Sequence, residues 1–362
     1  MENAFLTAMY AHAQQNKIPF AGSFELTPMC NMDCKMCYVR KTPAQVEQGG
    51  GLLPVEGWLD IARQAKETGT FVLIITGGEP LTYPGFKPLY EKLQRMGFLI
   101  SLNTNGTLLD DEFIEWLSAR QPDKINITLY GASDETYKAL CGKSDGFTVV
   151  SENIKKLLRN GFNVYLNCVA TKYNAHDIPA MHAFAKSLGL TLHLSTYMFP
   201  PVRKNEKNCG NPARLSAPDA AGISVDYEKL MHEGENFAER AMGLLEYDPC
   251  DIPESERRGE PLPCRAGKCS YWISWQGKMT PCGLMNTPSE DLKETDFLTA
   301  WEKIKTETAK FTLPKECTGC RYRKLCYICG AAAIAETGKS DTVPEYVCAL
   351  AKNTADILKN NL

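Results

Sequence analysis

The stretch Gly22-Ser-Phe-Glu-Leu-Thr27 runs almost directly into Cys30-Asn-Met-Asp-Cys34-Lys-Met-Cys37, so an apolar, strand-like segment delivers three closely spaced thiols into a loop. Similar segments recur at 71–76, 98–103, 124–130, 163–170 and 190–196, rich in Val, Ile, Leu, Phe or Tyr and mostly bounded by Gly, Asn, Pro or Asp. Between them the apolar spacing predicts helices over 55–68, 86–96, 110–119, 147–160 and 178–188. Asp110 and Asp111 open one of these, and Gly97, Gly161 and Gly189 close three others. Six strands alternating with helices predict an α/β fold with a parallel sheet and right-handed crossovers. Six such units suit a partial (β/α)6 TIM-like barrel, with an open doubly wound sheet as the alternative. In either, ligands collect where strands end and loops begin.

After Tyr197 the composition changes. Residues 199–263 are rich in Pro, Asn, Glu and Arg, with one helical stretch near 227–245, and read as a linker. From Cys264 the cysteine density rises. A hairpin is expected at 272–281, turning on Gln276-Gly277, then a helix at 297–310 and a loop-rich knot from Cys317 to Cys348. The expected organisation is an N-terminal segment 1–20, a barrel 21–198, a linker 199–263 and a small cysteine-rich domain 264–362. So small a region, with little apolar periodicity, is expected to need metal for its fold.

The chain has 362 residues, 44% hydrophobic and 23% charged, with a net charge of −3. That balance gives no reason to expect nucleic acid or an anionic membrane as partner. No secretory stretch opens the sequence, and no run of about 18–20 apolar residues suggests a membrane span. A cytoplasmic location is expected. Fifteen cysteines are the anomaly, and in a reducing compartment clustered cysteines hold metal more often than they form disulfides. Eleven fall into spaced groups, whereas Cys141, Cys168, Cys209 and Cys250 stand alone and read as buried small hydrophobes or loop thiols.

Cys30, Cys34 and Cys37 form a C-x3-C-x2-C group with no fourth cysteine nearby. Three thiolates leave one iron of a four-iron cluster open to a small ligand, whereas purely electron-transferring clusters usually carry a full set. Zinc would want a fourth ligand such as His, and the nearest, His12, lies far upstream. Thr76-Gly77-Gly78-Glu79-Pro80 follows the second strand. Its glycines let backbone approach a ligand, and Glu79 offers an acceptor for an ammonium group. Alone, this would be an ordinary turn.

Together these residues resemble the radical S-adenosylmethionine superfamily, over about residues 20–197. The resemblance implies a partial barrel with a [4Fe–4S] cluster at its mouth, whose open iron S-adenosylmethionine chelates. One electron then cleaves the sulfonium, giving methionine and a 5′-deoxyadenosyl radical. By position, Gly77, Gly78 and Glu79 would bind the methionyl amino group, and Met36 and Tyr38 would border the adenine. Asn103 and Thr128 would meet the ribose or carboxylate. Many relatives place an Arg for the carboxylate where Cys141 stands here, which leaves Lys143 as its substitute. Core packing is the alternative for Tyr38, and Asn105-Gly106 reads as a turn.

The later array, Cys264-x4-Cys269-x12-Cys282, Cys317-x2-Cys320-x5-Cys326-x2-Cys329 and Cys348, resembles the SPASM extension of peptide-modifying radical enzymes. The resemblance implies two auxiliary [4Fe–4S] clusters, on Cys264, Cys269, Cys282 and Cys329, and on Cys317, Cys320, Cys326 and Cys348. Relatives have three residues where two separate Cys326 from Cys329, which leaves an open iron in the first auxiliary cluster as an alternative. Spacing alone also admits a zinc ribbon.

Within this group the substrate is expected to be a peptide, given a thioether, a carbon–carbon crosslink or an epimerised centre. Formylglycine formation in a sulfatase is the competing reading, but it uses an Asp after the hairpin cysteine, where Gly283 stands here. A small-molecule substrate also stays open. Only 29 residues precede Cys30, so any leader peptide is expected to be read by a separate protein or the barrel itself. The electron is expected from an external donor such as flavodoxin or ferredoxin. Outside this class stand a pure electron-transfer protein and a zinc-stabilised binding module with basic stretches at Arg203-Lys204, Arg257-Arg258 and 321–324. The former would not need the turn at 77–80, and the latter lacks interleaved aromatic residues.

Overall fold

The computed structural model describes residues 4–201, 203, 211–232, 235–246 and 253–362. Six parallel strands follow in chain order: β1 (Ala21–Glu25), β2 (Val72–Thr76), β3 (Leu99–Thr104), β4 (Lys124–Thr128), β5 (Val164–Val169) and β6 (Leu192–Ser195). Helices Val55–Glu67, Phe86–Arg95, Asp111–Ser118, Gly146–Arg159 and Ile178–Ser187 make the crossovers. All eleven elements lie within two residues of their expected bounds. The α/β partial (β/α)6 barrel is therefore the fold.

The two faces of the sheet differ in a way that positions the site. Phe24, Leu73, Ile75, Leu102, Ile125, Ile127 and Leu166 are fully buried against the helices, with Phe24 stacked on Trp58 at 4.9 Å. The alternate positions carry Asn103, Asn126, Thr128 and Asn167, and Asn126 Nδ2 donates to Asn103 Oδ1 at 2.7 Å. Parallel sheets usually bury both faces in apolar packing. Here the second face is a polar floor suited to a ligand.

β7 (Ser270–Ile273) pairs in parallel with β1 on the edge away from β2, and β8 (Lys278–Thr280) and β9 (Glu290–Asp291) follow antiparallel. The sheet runs β6-β5-β4-β3-β2-β1-β7-β8-β9. The expected hairpin is present, with Gly277 at φ +82° in its turn, and it continues the barrel sheet. No local signal foretells that pairing, because β1 and β7 are far apart in sequence.

The single helix expected near 227–245 is two, Ala217–Met231 and Glu235–Leu245. The first begins earlier because Ser216 caps it, accepting from Asp219 N, and Pro218 fits its first turn. Helices Ala4–Asn16, Pro43–Gln48, Asp134–Cys141, Gly330–Thr337 and Glu345–Asn360 were not foreseen. The last packs Val347 and Leu350 into the same core as Ala220 and Ala221, so the region after Cys317 is less loop-rich than expected. Among the described residues no helix is long and apolar enough to cross a membrane. Cys209 and Cys250 lie outside the described residues.

Candidate active site

Beyond β1 the backbone stays beside the end of β2. Leu26 N donates to Thr76 O at 2.9 Å, Gly78 N to Thr27 O at 2.7 Å, and Glu79 N to Met29 O at 2.8 Å. This approach explains the paired glycines: a Cβ on Gly77 would sit 2.5 Å from Thr27 O, and one on Gly78 2.4 Å from Met29 O. No side chain fits there without parting the two segments.

The cysteine loop is pinned from the other side by the helix Asp134–Cys141. Its last carbonyls have no partners within the helix, and Leu140 O and Cys141 O accept from Lys35 N and Asp33 N at 2.9 Å each. Inside the loop, Met32 N donates to Cys30 Sγ at 3.4 Å and Arg40 N to Cys37 Sγ at 3.2 Å. Donors aimed at the sulfurs stabilise thiolates and tune any cluster they hold. Burial pushes the Cys30 thiol up to about 12, so loading metal there would release its proton.

All three thiols line one cavity of about 260 Å³. Of the residues expected around a cofactor, Met36, Tyr38, Gly77, Gly78, Asn103 and Thr128 line it too. Glu79 does not. It is fully buried behind the wall, accepting from Leu81 N at 3.1 Å, Thr104 Oγ1 at 2.8 Å and Asn105 N at 2.7 Å, and so ties the end of β2 to that of β3. Lys143 is also outside the lining: Gly142, at φ +71°, ends the helix and Lys143 pairs with Asp145 at 2.9 Å. Asn105 makes the expected turn, accepting from Thr107 N at 2.9 Å, yet also lines the cavity and donates to Asn31 Oδ1 at 2.9 Å. Sequence reasoning missed Thr104 and Tyr130, both in the wall. Cys141, read as a solitary thiol, is buried with its sulfur hydrogen-bonded to Cys34.

Burial raises the Glu79 carboxyl from 4.5 to about 7, against the pull of its three hydrogen bonds. Between those values the folded protein holds a proton that the unfolded chain has released. Stability from this group is thus full below about pH 4.5 and falls as pH rises through about 7, by on the order of 3 kcal/mol. Urea unfolding of the metal-free protein at pH 5 and pH 8 is expected to show that fall. Glu79→Gln, which cannot ionise, is expected to flatten it.

The C-terminal thiols gather in two places. Cys317, Cys320, Cys326 and Cys348 lie close enough for their charges to act on one another, and burial pushes Cys317 up to about 12 and Cys326 to about 11. Cys264 and Cys329 act likewise on Cys282, and Cys264 on Cys269. Cys329 also caps the helix Gly330–Thr337, accepting from Ala332 N at 3.3 Å. Among the described residues no three Cys, His, Asp or Glu side chains converge tightly enough to hold a single metal ion.

The Radical SAM superfamily model matches residues 24–185, which hold the three-cysteine loop and the turn at 77–80. The AdoMet-dependent heme synthase of Methanosarcina barkeri is 26% identical over 338 residues, covering 87% of this chain and 92% of that protein. The subtilosin biosynthesis protein AlbA of Bacillus subtilis is 24% identical over 288 residues, 79% of this chain and 59% of its own length. In fold, the chain is similar to anSMEcpe with bound AdoMet and Kp18Cys peptide, with a TM-score of 0.69 and 18% identity, covering 95% of this chain and 99% of that one. That superfamily uses a [4Fe–4S] cluster and S-adenosylmethionine, and three thiols around one cavity, with N–H donors on two of them, suit such a cluster. Residues 24–185 form a Radical SAM domain, and the chain is an enzyme.

Proposed function

We propose that this enzyme modifies a peptide by radical hydrogen abstraction, forming a thioether or carbon–carbon crosslink or epimerising a residue. The observation that carries this reading is the cavity ringed by Cys30, Cys34 and Cys37, which opens beside the polar floor that Asn103 and Asn126 begin. When bound, the cluster and S-adenosylmethionine supply a 5′-deoxyadenosyl radical. The chain's own residues hold and shield that chemistry. Cys30, Cys34 and Cys37 would hold the cluster, and Met36 and Tyr38 would border the adenine. Backbone at Gly77 and Gly78 would meet the amino group, and Asn103 and Thr128 would meet the ribose or carboxylate. Glu79 acts from behind the wall by fixing the ends of β2 and β3, and Lys143 would have to leave Asp145 to reach the carboxylate.

Two auxiliary [4Fe–4S] clusters complete the proposal, on Cys264, Cys269, Cys282 and Cys329 and on Cys317, Cys320, Cys326 and Cys348. The two groups of neighbouring thiols support it. A flavodoxin or ferredoxin would deliver the electron in the cytoplasm, and a separate protein would present any leader peptide. The peptide-bound fold relative and AlbA, a protein of bacteriocin biosynthesis, favour a peptide. The heme synthase relative, matched over 92% of its length, favours a second reading in which the substrate is a heme precursor.

The test is to incubate reduced enzyme and S-adenosylmethionine with short peptides encoded beside the gene, a sulfatase-motif peptide and heme-precursor porphyrins. The peptide reading predicts loss of about two hydrogens from a neighbouring peptide, or uptake of solvent deuterium without net mass loss. Formylglycine formation would need a base other than position 283, because Gly283 cannot accept a proton. Turnover of porphyrin alone, or efficient formylglycine formation, would contradict the peptide reading.

A further inference from the structure

Glu25 is the last residue of β1, on the strand that leads into the cysteine loop, and it is 1% exposed. It accepts from both Nη atoms of Arg203, one of them at 3.0 Å, and from Trp272 Nε1 at 3.1 Å. A buried carboxylate needs partners, and a purely structural ion pair would account for Arg203. It would not account for the surroundings. Tyr38 lines the cofactor cavity, and Glu25, Cys37 and Cys282 all lie close enough for their charge to act on its hydroxyl. Against the same Trp272 indole packs Gly283, where a Cβ would meet the ring at 2.9 Å. Glu25 and Gly283 thus meet one ring, Glu25 at its Nε1 and Gly283 against its carbon atoms. Gly283 has no side chain to act as an acid or base beside that ring, and Glu25 has one.

We propose that Glu25 is the proton acceptor of the reaction, taking an O–H, N–H or S–H proton from the substrate next to the carbon that loses its hydrogen. In the balance of a two-hydrogen oxidation, the substrate gives a hydrogen atom to the radical chemistry of the superfamily and a proton to Glu25. Its remaining electron goes to a one-electron acceptor of the iron–sulfur class. Among the described residues, the groups that face Glu25 are Arg203, Tyr38, the Trp272 indole and the Trp275 backbone. Burial holds its carboxyl above the usual carboxylate range while Arg203 pulls the other way, so the group can exchange a proton without being left as a bare buried charge. Trp272 fixes the direction of one oxygen. The substrate's approach would have to part Arg203 from the carboxylate.

The assignment rests on the radical reading above, and its test begins with a measurement that needs no substrate. Infrared difference spectra of the reconstituted enzyme, wild type against Glu25→Gln, are expected to show a buried carboxyl band that titrates above the usual carboxylate range, because burial outweighs the pull of Arg203. A carboxylate that stays ionised throughout, as a permanently closed pair with Arg203 would, overturns the proposal. In turnover, Glu25→Gln is expected to lower product at least about a hundredfold while 5′-deoxyadenosine still forms. Glu25→Asp, with a shorter carboxylate, is expected to restore part of the product with a shifted pH profile. Unchanged product from Glu25→Gln, or the same loss in both variants with no change of pH profile, marks a structural role and overturns it. If wild type turns over a porphyrin and no peptide, the same comparison is made with that porphyrin. The peptide reading then fails while Glu25 is still tested.

Discussion

Replacing Cys30, Cys34 and Cys37 together by Ala is expected to abolish cleavage of S-adenosylmethionine and lower iron from about twelve to about eight per chain, with sulfide in step. The three thiols share one cavity, whereas the C-terminal thiols gather elsewhere. The loop itself should keep its course, because its backbone is held by Leu140 O and Cys141 O and by the turn at 77–80. The substitution therefore removes ligands without removing the fold. Negligible zinc is expected in both proteins, measured by metal analysis after anaerobic reconstitution. About four iron with one or two zinc in wild type would instead mean a radical cluster beside a structural zinc knot. Undiminished 5′-deoxyadenosine formation by the triple variant would remove the N-terminal cluster from these cysteines.

Glu336→Ala is expected to lower stability by about 3–5 kcal/mol, read as a fall in the urea midpoint. Arg214 and Glu336 have side chains 8% and 9% exposed, and Arg214 Nη1 donates to Glu336 Oε2 at 3.2 Å. The guanidinium lies 3.4 Å from the centre of the Tyr346 ring, and Tyr197 Oη donates to the same carboxylate at 2.8 Å. Removing Glu336 leaves a buried cation facing a phenol whose partner is gone. Glu336→Gln keeps the shape and an acceptor, and should lose less. The pair joins the chain after β6 to the helix that Cys329 caps, so Glu336→Ala should also shed C-terminal iron faster. A change under about 1 kcal/mol would reduce the pair to the rank of a surface contact.

What was legible in the sequence is what is local. Cys30, Cys34 and Cys37 lie within eight residues, and Gly77, Gly78 and Glu79 are contiguous, so strand, loop and turn could be assigned from spacing and residue type. Direction was not legible. Glu79 looks like a ligand group until Thr104 and Asn105, from another strand end, take its oxygens. Lys143 looks free until Asp145 takes it. Contacts that depend on chain topology were hidden as well. Trp272 reaches Glu25 across 247 positions only because β7 joins the β1 edge of the sheet. Some missed features did carry signals. Ser133 and Gly142 bracket the helix that pins the cysteine loop, and Thr42 with Gln45 is a capping box.

On the function proposed above, the cavity at Cys30, Cys34 and Cys37 is where S-adenosylmethionine is reductively cleaved. The most direct measurement is quantification of methionine and 5′-deoxyadenosine after the anaerobically reconstituted, dithionite-reduced wild-type enzyme is mixed with S-adenosylmethionine. Both products are expected in equal amounts, dependent on the reductant and absent from the Cys30, Cys34 and Cys37 triple variant. An enzyme fully loaded with iron and sulfide that forms neither product would contradict it.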